Sequence, residues 1–200
     1  MSDRIDGGDG DFRPELYRER YSGGVTFEEY LEEVRKYPEL WRSVYERAEL
    51  PAAVREEAGS LSGRWHLLAL SEDWCGDAVN SLGWVARLAE SSEALELRVI
   101  SRDENPEIMD AHLWDGRARA IPVVILLDED FEEVGWWGPR PSSLQGWVLG
   151  EGQKLDSRER YREVRRWYAR DRGRTIVREI LEMIQSGEVE RRGALAGRGG

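Results

Sequence analysis

The chain contains a single cysteine, Cys75, in a position that suits thiol chemistry. An apolar run over residues 64–70 predicts a β-strand, and apolar residues at helical spacing over residues 77–89 predict a helix. Cys75 falls in the turn between them. The N-terminus of a helix carries the positive end of the helix dipole and unpaired backbone N–H groups, which favour a thiolate over a thiol. We therefore expect an exposed sulfur that acts as a nucleophile.

Acidic side chains around Cys75 oppose this activation. Glu72, Asp73 and Asp77 each disfavour a further negative charge nearby. Asp77 has two interpretations, since it either stabilises the first turn of the helix or relays a proton to or from the sulfur. The residue types leave open whether the helix or the carboxylates dominate the pKa of the thiol.

The composition narrows the classes of partner and the compartment. A net charge of −11 at pH 7 opposes binding to a phosphate backbone. No apolar run approaches the ~18 residues of a membrane span, and the N-terminal sequence lacks the apolar core of a signal peptide. We expect a cytoplasmic protein that binds neither nucleic acid nor membrane.

Cysteine and histidine usage argues against a metal or cofactor site. One cysteine provides neither an internal disulfide nor a zinc cluster. The two histidines lie far apart in the sequence. His66 falls inside a predicted strand and is expected to be a hydrogen-bonded structural residue, and His112 is expected on a helix surface. We assign no cofactor and no metal ligand.

The core of the chain alternates between strands and helices. The predicted strands cover residues 64–70, 95–101, 123–127 and 131–137, and the predicted helices cover residues 77–89, 105–113 and 141–149. A strand–helix–strand unit followed by a hairpin gives a mixed β-sheet with helices on both faces. The fold class is therefore α/β.

Helical additions flank this core. Thr26 and Glu29 match a capping box, and Pro38 and Pro51 each predict the start of another helix. The predicted units are a disordered or loosely packed N-terminus over residues 1–24, a helical extension over 25–59, the core over 60–150, a C-terminal helical extension over 151–187 and a frayed tail over 188–200.

Three separated motifs resemble the thioredoxin family. Trp-Cys-Gly-Asp-Ala at residues 74–78 stands where thioredoxins have Trp-Cys-Gly-Pro-Cys. Arg-Ala-Ile-Pro at residues 119–122 stands where the family has its cis-proline turn, and Gly138 stands where the family has a loop glycine. The resemblance implies a thioredoxin-like fold over residues 60–150 with a cis peptide bond before Pro122.

The resemblance also implies roles for individual residues. Cys75 would be the nucleophile, with Asp77 as the candidate proton relay and Arg119 as a candidate charge partner of the thiolate. The backbone of Ile121 would pair with an extended substrate chain, which is a form of strand addition. The implied substrate-binding residues are Trp74, Gly76, Ile121, Pro122 and Gly138.

The departures from the family pattern decide the expected activity. Ala78 stands at the position of the resolving cysteine, and Ala69 or an apolar neighbour stands at the position of the family's buried acid. A dithiol cycle therefore cannot run within this site. The first hypothesis is a monothiol redox protein whose mixed disulfide with a protein or small disulfide is resolved by an external thiol. The alternatives are a non-catalytic binding module and glutathione-dependent iron–sulfur binding.

Two further segments have open interpretations. The positions of Trp136 and Trp137 in the sequence are consistent with either a docking patch beside the site or packing within the hairpin. The Arg- and Glu-rich stretch over residues 158–174 is expected to be a solvated, ion-paired helix face.

Overall fold

The structure is a computed structural model that describes residues 14–197, with side chains described through residue 193. The N-terminal helices are α1 (Pro14–Gly23), α2 (Phe27–Glu33), α3 (Pro38–Glu46) and α4 (Ala52–Gly59). The core elements are β1 (Trp65–Ser71), α5 (Gly76–Glu90), β2 (Leu95–Ser101), α6 (Pro106–Ala111), β3 (Val123–Leu127), β4 (Glu133–Trp137) and α7 (Ser142–Leu149). A 3₁₀ turn (Glu151–Lys154), α8 (Ser157–Asp171) and α9 (Arg174–Gly197) follow.

Within residues 14–197 the sheet has four strands in the order β2-β1-β3-β4. β1 pairs in parallel with β2 and antiparallel with β3, and β3 pairs antiparallel with β4. Every residue of β1 and of β3 is buried, so both faces of the central strands are covered. These features confirm the mixed α/β architecture with helical extensions at both ends. No helix among residues 14–197 is long and apolar enough to span a membrane.

The strand register brings four loops to one end of the sheet. Leu70, near the end of β1, is paired with Val123, the first residue of β3. Ser71 is paired with Ser101 at the end of β2, which places the loops after β1 and β2 side by side. Val124 is paired with Trp137, the last residue of β4. The loop that carries Cys75 therefore meets the loops before β3, after β2 and after β4.

The N-terminal extension contains the predicted capping box. Glu29 N–H donates to Thr26 Oγ1 at 3.2 Å, and Thr26 N–H donates to a Glu29 carboxylate oxygen at 2.7 Å. These two bonds satisfy backbone donors that the first turn of α2 would otherwise leave free.

The prediction of disorder is wrong for residues 14–23, which form α1. Tyr17 and Tyr21 lie one helical turn apart and are buried. Tyr21 Oη donates to the Glu96 carbonyl at 3.0 Å, and Tyr17 Oη donates to the Glu133 carboxylate. Burial of two aromatic rings offsets the entropy of ordering this segment. Residues 1–13 lie outside the described residues.

The frayed tail predicted after residue 187 is also wrong for the described part of the chain. α9 continues to Gly197. The Arg191 guanidinium lies 5.5 Å from the centroid of the Trp65 ring, and it pairs with Glu129 at 2.5 Å. These contacts tie the last turns of α9 to β1 and to the loop before β4. Residues 198–200 lie outside the described residues.

Both histidines are buried. His112 is 2% exposed, so the predicted surface position is wrong; its Nδ1 lies 2.6 Å from the Ile108 carbonyl oxygen and its Nε2 lies 3.3 Å from the Glu133 carboxylate. His66 is stacked on Phe131 with 4.4 Å between ring centroids, and burial lowers its pKa. His66 Nδ1 has no hydrogen-bond partner within the described chain, which differs from the expected hydrogen-bonded residue.

The loops before β3 and after β4 approach so closely that only glycine fits at position 138. Gly138 has a φ of +138°, and a Cβ atom added there would lie 2.1 Å from the Pro122 carbonyl oxygen. The Ile121–Pro122 and Gly138–Pro139 peptide bonds are both cis. The backbone of one loop thus packs directly against the backbone of the other.

A Tyr21→Ala variant tests whether α1 belongs to the folded domain. Loss of a buried ring and of its hydrogen bond is expected to lower the free energy of unfolding by about 3–4 kcal/mol, measured by urea denaturation. Tyr161→Ala is the matched control because Tyr161 is 62% exposed, and it is expected to change stability by less than about 0.5 kcal/mol. Equal stability of the two variants would contradict the packing of α1.

A Gly138→Ala variant tests the close approach of the two loops. Steric overlap with Pro122 and the unfavourable φ are expected to destabilise the protein by on the order of 3 kcal/mol, measured by the same denaturation. Gly76→Ala is the control, since a Cβ atom at Gly76 meets no heavy atom within 4 Å. A Gly138→Ala protein as stable as the control would show that the loops are not in this contact.

Candidate functional site

Cys75 lies at the N-terminus of α5, as the sequence predicts, but its side chain is not exposed. It is the N-cap residue of the helix and is 8% exposed. The Cys75 Sγ–H donates to the Ile121 carbonyl oxygen at 3.3 Å. The expectation of an exposed sulfur is therefore wrong: the loop before β3 packs over the helix end and leaves the sulfur at the bottom of a groove.

The electrostatic question that the sequence left open is decided by this burial. Burial raises the pKa of the Cys75 thiol, and the negative charge of Asp77 raises it further. The backbone N–H groups of Ala78 and Asp77 and the charge of Arg140 lower it, each with a smaller effect than burial, and the pKa is raised overall. The resting group is therefore a protonated thiol that serves as a hydrogen-bond donor.

Asp77 is held by two partners from distant parts of the chain. Its carboxylate accepts a hydrogen bond from Tyr168 Oη at 3.0 Å and pairs with the Arg140 guanidinium at 2.5 Å. Arg140 also donates to Gln145 Oε1 at 2.9 Å, while its buried Nε has no partner within the described residues. This cluster places one negative and one positive charge, which largely offset each other, beside the sulfur.

Arg140, not Arg119, is the cation beside Cys75. Arg119 pairs with Asp110 through two hydrogen bonds of 2.5 and 2.6 Å and is about half exposed. The expected charge partnership of Arg119 with the sulfur is not what the structure shows, because the Asp110 carboxylate engages this side chain and Arg140 supplies the positive charge that acts on Cys75. Neither Arg140 nor Tyr168 is predicted from the sequence to be a site residue. Arg140 follows the predicted site residue Gly138 by two positions, and this short spacing is the signal that could have identified it.

The groove above Cys75 has a volume of about 810 Å³. Trp74, Gly76, Asp77 and Ile121 line it together with Cys75, so the structure brings these sequence-predicted residues together. Trp74 is 48% exposed, and the Arg102 guanidinium lies 4.9 Å from its ring centroid. The floor of the groove thus combines a thiol, a helix N-terminus and a peptide carbonyl.

Two predicted groove residues lie behind this surface. Pro122 is buried, and Gly138 is packed against its carbonyl, so Pro139 and Arg140 form the facing wall instead. Gly138 lines a neighbouring hollow of about 520 Å³ with Trp136 and Trp137.

The two tryptophans of β4 pack within the fold. Trp137 is buried, and its Nε1–H donates to Glu179 at 2.7 Å. The Trp136 ring packs edge-on against His112, with 5.7 Å between ring centroids. Both rings are therefore fixed by neighbours from other elements.

No group of three or more metal-ligating side chains occurs within residues 14–193. Cys75 is the only thiol in the sequence, and Asp77 and Arg140, whose charges act on its pKa, are engaged with each other. The chemistry that these residues offer is proton transfer and nucleophilic attack by sulfur.

Comparisons with known proteins agree with the architecture. A family model described as thioredoxin matches residues 24–168. The chain is similar in structure to a Pseudomonas aeruginosa protein of unknown function, with a TM-score of 0.69, 22% identity, and coverage of 86% of this chain and 98% of that one. It is similarly close to an HIV epitope scaffold, with a TM-score of 0.69, 20% identity, and coverage of 85% and 98%. No curated protein matches the chain.

The structural similarities establish the fold, and the family model covers well over half of the sequence. Its matched range contains Cys75, the Ile121–Pro122 turn and Gly138. The chain belongs to the thioredoxin family, as a member with a single cysteine.

Proposed function

We propose that this protein is a monothiol redox protein in which Cys75 exchanges disulfides with a substrate held in the groove. The observation that carries the proposal is the position of the sulfur, which lines the groove at the N-terminus of α5 and lies 3.3 Å from the Ile121 carbonyl oxygen. A sulfur in this position can reach a disulfide in the groove while helix N–H groups face the negative charge that develops on it.

The exchange begins with loss of the thiol proton to solvent. The Cys75 thiolate attacks one sulfur of the substrate disulfide; a new S–S bond forms, the substrate S–S bond breaks, and the leaving thiolate takes up a proton. Because Ala78 offers no second thiol, a thiolate from outside the chain attacks the mixed disulfide and releases Cys75. We propose a cytoplasmic setting, in which low-molecular-weight thiols supply this second step.

The Ile121 carbonyl would change partner during this cycle. In the resting state it accepts the Cys75 S–H. Neither the thiolate nor the mixed disulfide has that proton, so the carbonyl then becomes free to accept an N–H from an extended substrate segment. Loss of one hydrogen bond is thus coupled to gain of another with the substrate backbone.

The second candidate function is a binding module without redox turnover. The burial of Cys75 and the raised pKa of its thiol favour this alternative. The pairing of Asp77 with Arg140 and Tyr168 also leaves that carboxylate little freedom to relay a proton. Such a module would keep the groove and bind its partner equally well without the sulfur.

An exchange assay separates the two functions. Catalytic amounts of the protein are expected to accelerate exchange between glutathione and an uncharged peptide disulfide by at least roughly tenfold over the uncatalysed rate. Cys75→Ser is expected to abolish the acceleration. Absence of acceleration by the native protein, combined with equal peptide binding by both proteins, would establish the binding module instead.

The charges beside the sulfur give a test by pH. The rate of Cys75 alkylation by iodoacetamide, a neutral reagent, is expected to rise with pH through values above the usual pKa of a thiol, because only the thiolate reacts. Asp77→Asn removes a charge that raises this pKa and is expected to speed alkylation at pH 8 by roughly threefold to tenfold. Arg140→Gln is expected to slow it.

Tyr168→Phe is the control for this series, since it removes the hydrogen bond to Asp77 without changing any charge. It is expected to shift the alkylation profile less than either charge variant. A native profile centred below the usual pKa of a thiol, or charge variants that shift it in the same direction, would overturn the electrostatic account of the site.

A further inference from the structure

The groove above Cys75 has a charge opposite to that of the whole protein. The chain carries a net charge of −11, yet among the described residues the groove is lined by five arginines and a single carboxylate, that of Asp77. The arginines are Arg102, Arg119, Arg140, Arg160 and Arg165. A concave site of one sign attracts ligands of the other sign and raises their local concentration.

Two of these arginines have no carboxylate partner in the part of the chain that the structure describes. Arg102, Arg119 and Arg140 pair with Asp103, Asp110 and Asp77, respectively. Within the described chain no carboxylate lies within 4 Å of the guanidinium of Arg160 or Arg165, which sit on the groove-facing side of α8. The expectation that this stretch is an ion-paired helix face therefore fails on one side of the helix.

The groove also collects the exposed apolar side chains of the protein. Six large hydrophobic residues are exposed among residues 14–193, and four of them line this groove. Those four are Tyr37 (64%), Leu40 (46%), Trp74 (48%) and Tyr161 (62%). Tyr37 and Leu40 come from the N-terminal extension and Tyr161 from α8, so the helical additions build the two walls above the sulfur.

We propose that the groove binds an acidic, extended polypeptide segment whose cysteine is presented to Cys75; this inference rests on the proposed function, for which it names the class of substrate. The carboxylates of such a segment reach Arg160 and Arg165, and its apolar side chains cover Tyr37, Leu40 and Tyr161. Tyrosine, tryptophan and arginine are the residues that dominate binding at peptide and protein interfaces. The volume of about 810 Å³ lies in the upper part of the usual range for ligand sites, which suits a peptide better than a single small thiol.

The test measures binding without sulfur chemistry. A fluorescein-labelled peptide with serine in place of its cysteine, glutamates on both sides and one tryptophan is titrated with the 200-residue Cys75→Ser chain by fluorescence anisotropy. The acidic peptide is expected to bind more tightly than otherwise identical peptides with glutamine or lysine, and added salt is expected to weaken its binding. Equal binding of the acidic and glutamine peptides, or tighter binding of the lysine peptide, would overturn the proposal.

Two double variants on α8 give a matched comparison. Arg160→Gln/Arg165→Gln is expected to weaken binding of the acidic peptide by roughly threefold to tenfold and to leave the glutamine peptide unchanged. Arg162→Gln/Arg166→Gln removes the same charge from the same helix, but these arginines pair with Glu159 and Glu163 and do not line the groove. If both double variants lost the same affinity for the acidic peptide, the net charge of the protein would explain the loss, and a specific site at Arg160 and Arg165 would be contradicted.

A competition experiment identifies the ligand of the groove. The exchange assay distinguishes failure of this proposal from failure of the proposed redox function. S-methylglutathione is expected to displace the acidic peptide only at far higher concentration than the unlabelled peptide does; the reverse order would make a small anionic thiol the occupant. The peptide disulfide in the exchange assay is uncharged, so its binding does not use the carboxylate contacts that the acidic peptide tests. If that exchange is accelerated while the acidic peptide shows no preference, the substrate class is wrong and the redox function stands.

Discussion

The antiparallel pairing of β1 with β3 is the constraint on which the site depends. Leu70 pairs with Val123, so the chain leaves β1 at the same end of the sheet at which it enters β3. Cys75 and Ile121 then meet although 46 positions separate them in the sequence. The parallel partner β2 delivers Arg102 to the same end, and β4 delivers Arg140. A shift of this register by one residue would move each side chain of the strand to the opposite face of the sheet, and the loops that form the site would no longer meet.

The charges at the site are arranged around a neutral resting sulfur. Asp77 and Arg140 nearly cancel each other, and burial keeps the proton on Cys75, where it bonds to Ile121. The same helix N–H groups and the same guanidinium that have too little effect to ionise the resting thiol already point to where a thiolate would form. Tyr168 extends this arrangement into α8, so the C-terminal addition is part of the environment of the sulfur.

Local signals in the sequence predicted much of the fold. The bounds of β2 and β3 were predicted to the residue because alternation and a continuous apolar run are local patterns, and the capping box of α2 is likewise local. The position of Cys75 at a helix start came from the same reasoning. α1 was missed because its buried Tyr17 and Tyr21 stand among charged residues, although their spacing of four was a signal. His112 was misplaced because its burial depends on partners from β4.

The sheet positions the sulfur and the added helices form the walls of the groove, so the two parts of the site can change independently in sequence. The β-sheet fixes the positions of the Cys75 sulfur and of the Ile121 backbone. Tyr37, just before α3, Leu40 in α3 and Tyr161 in α8 lie outside the sheet and are exposed, so they do not pack in the core. Exposed positions accept substitution at little cost in stability. The proposed thiol site can therefore be directed to other partners by changes confined to the rims of the groove, with α8 still anchored by the buried Tyr168.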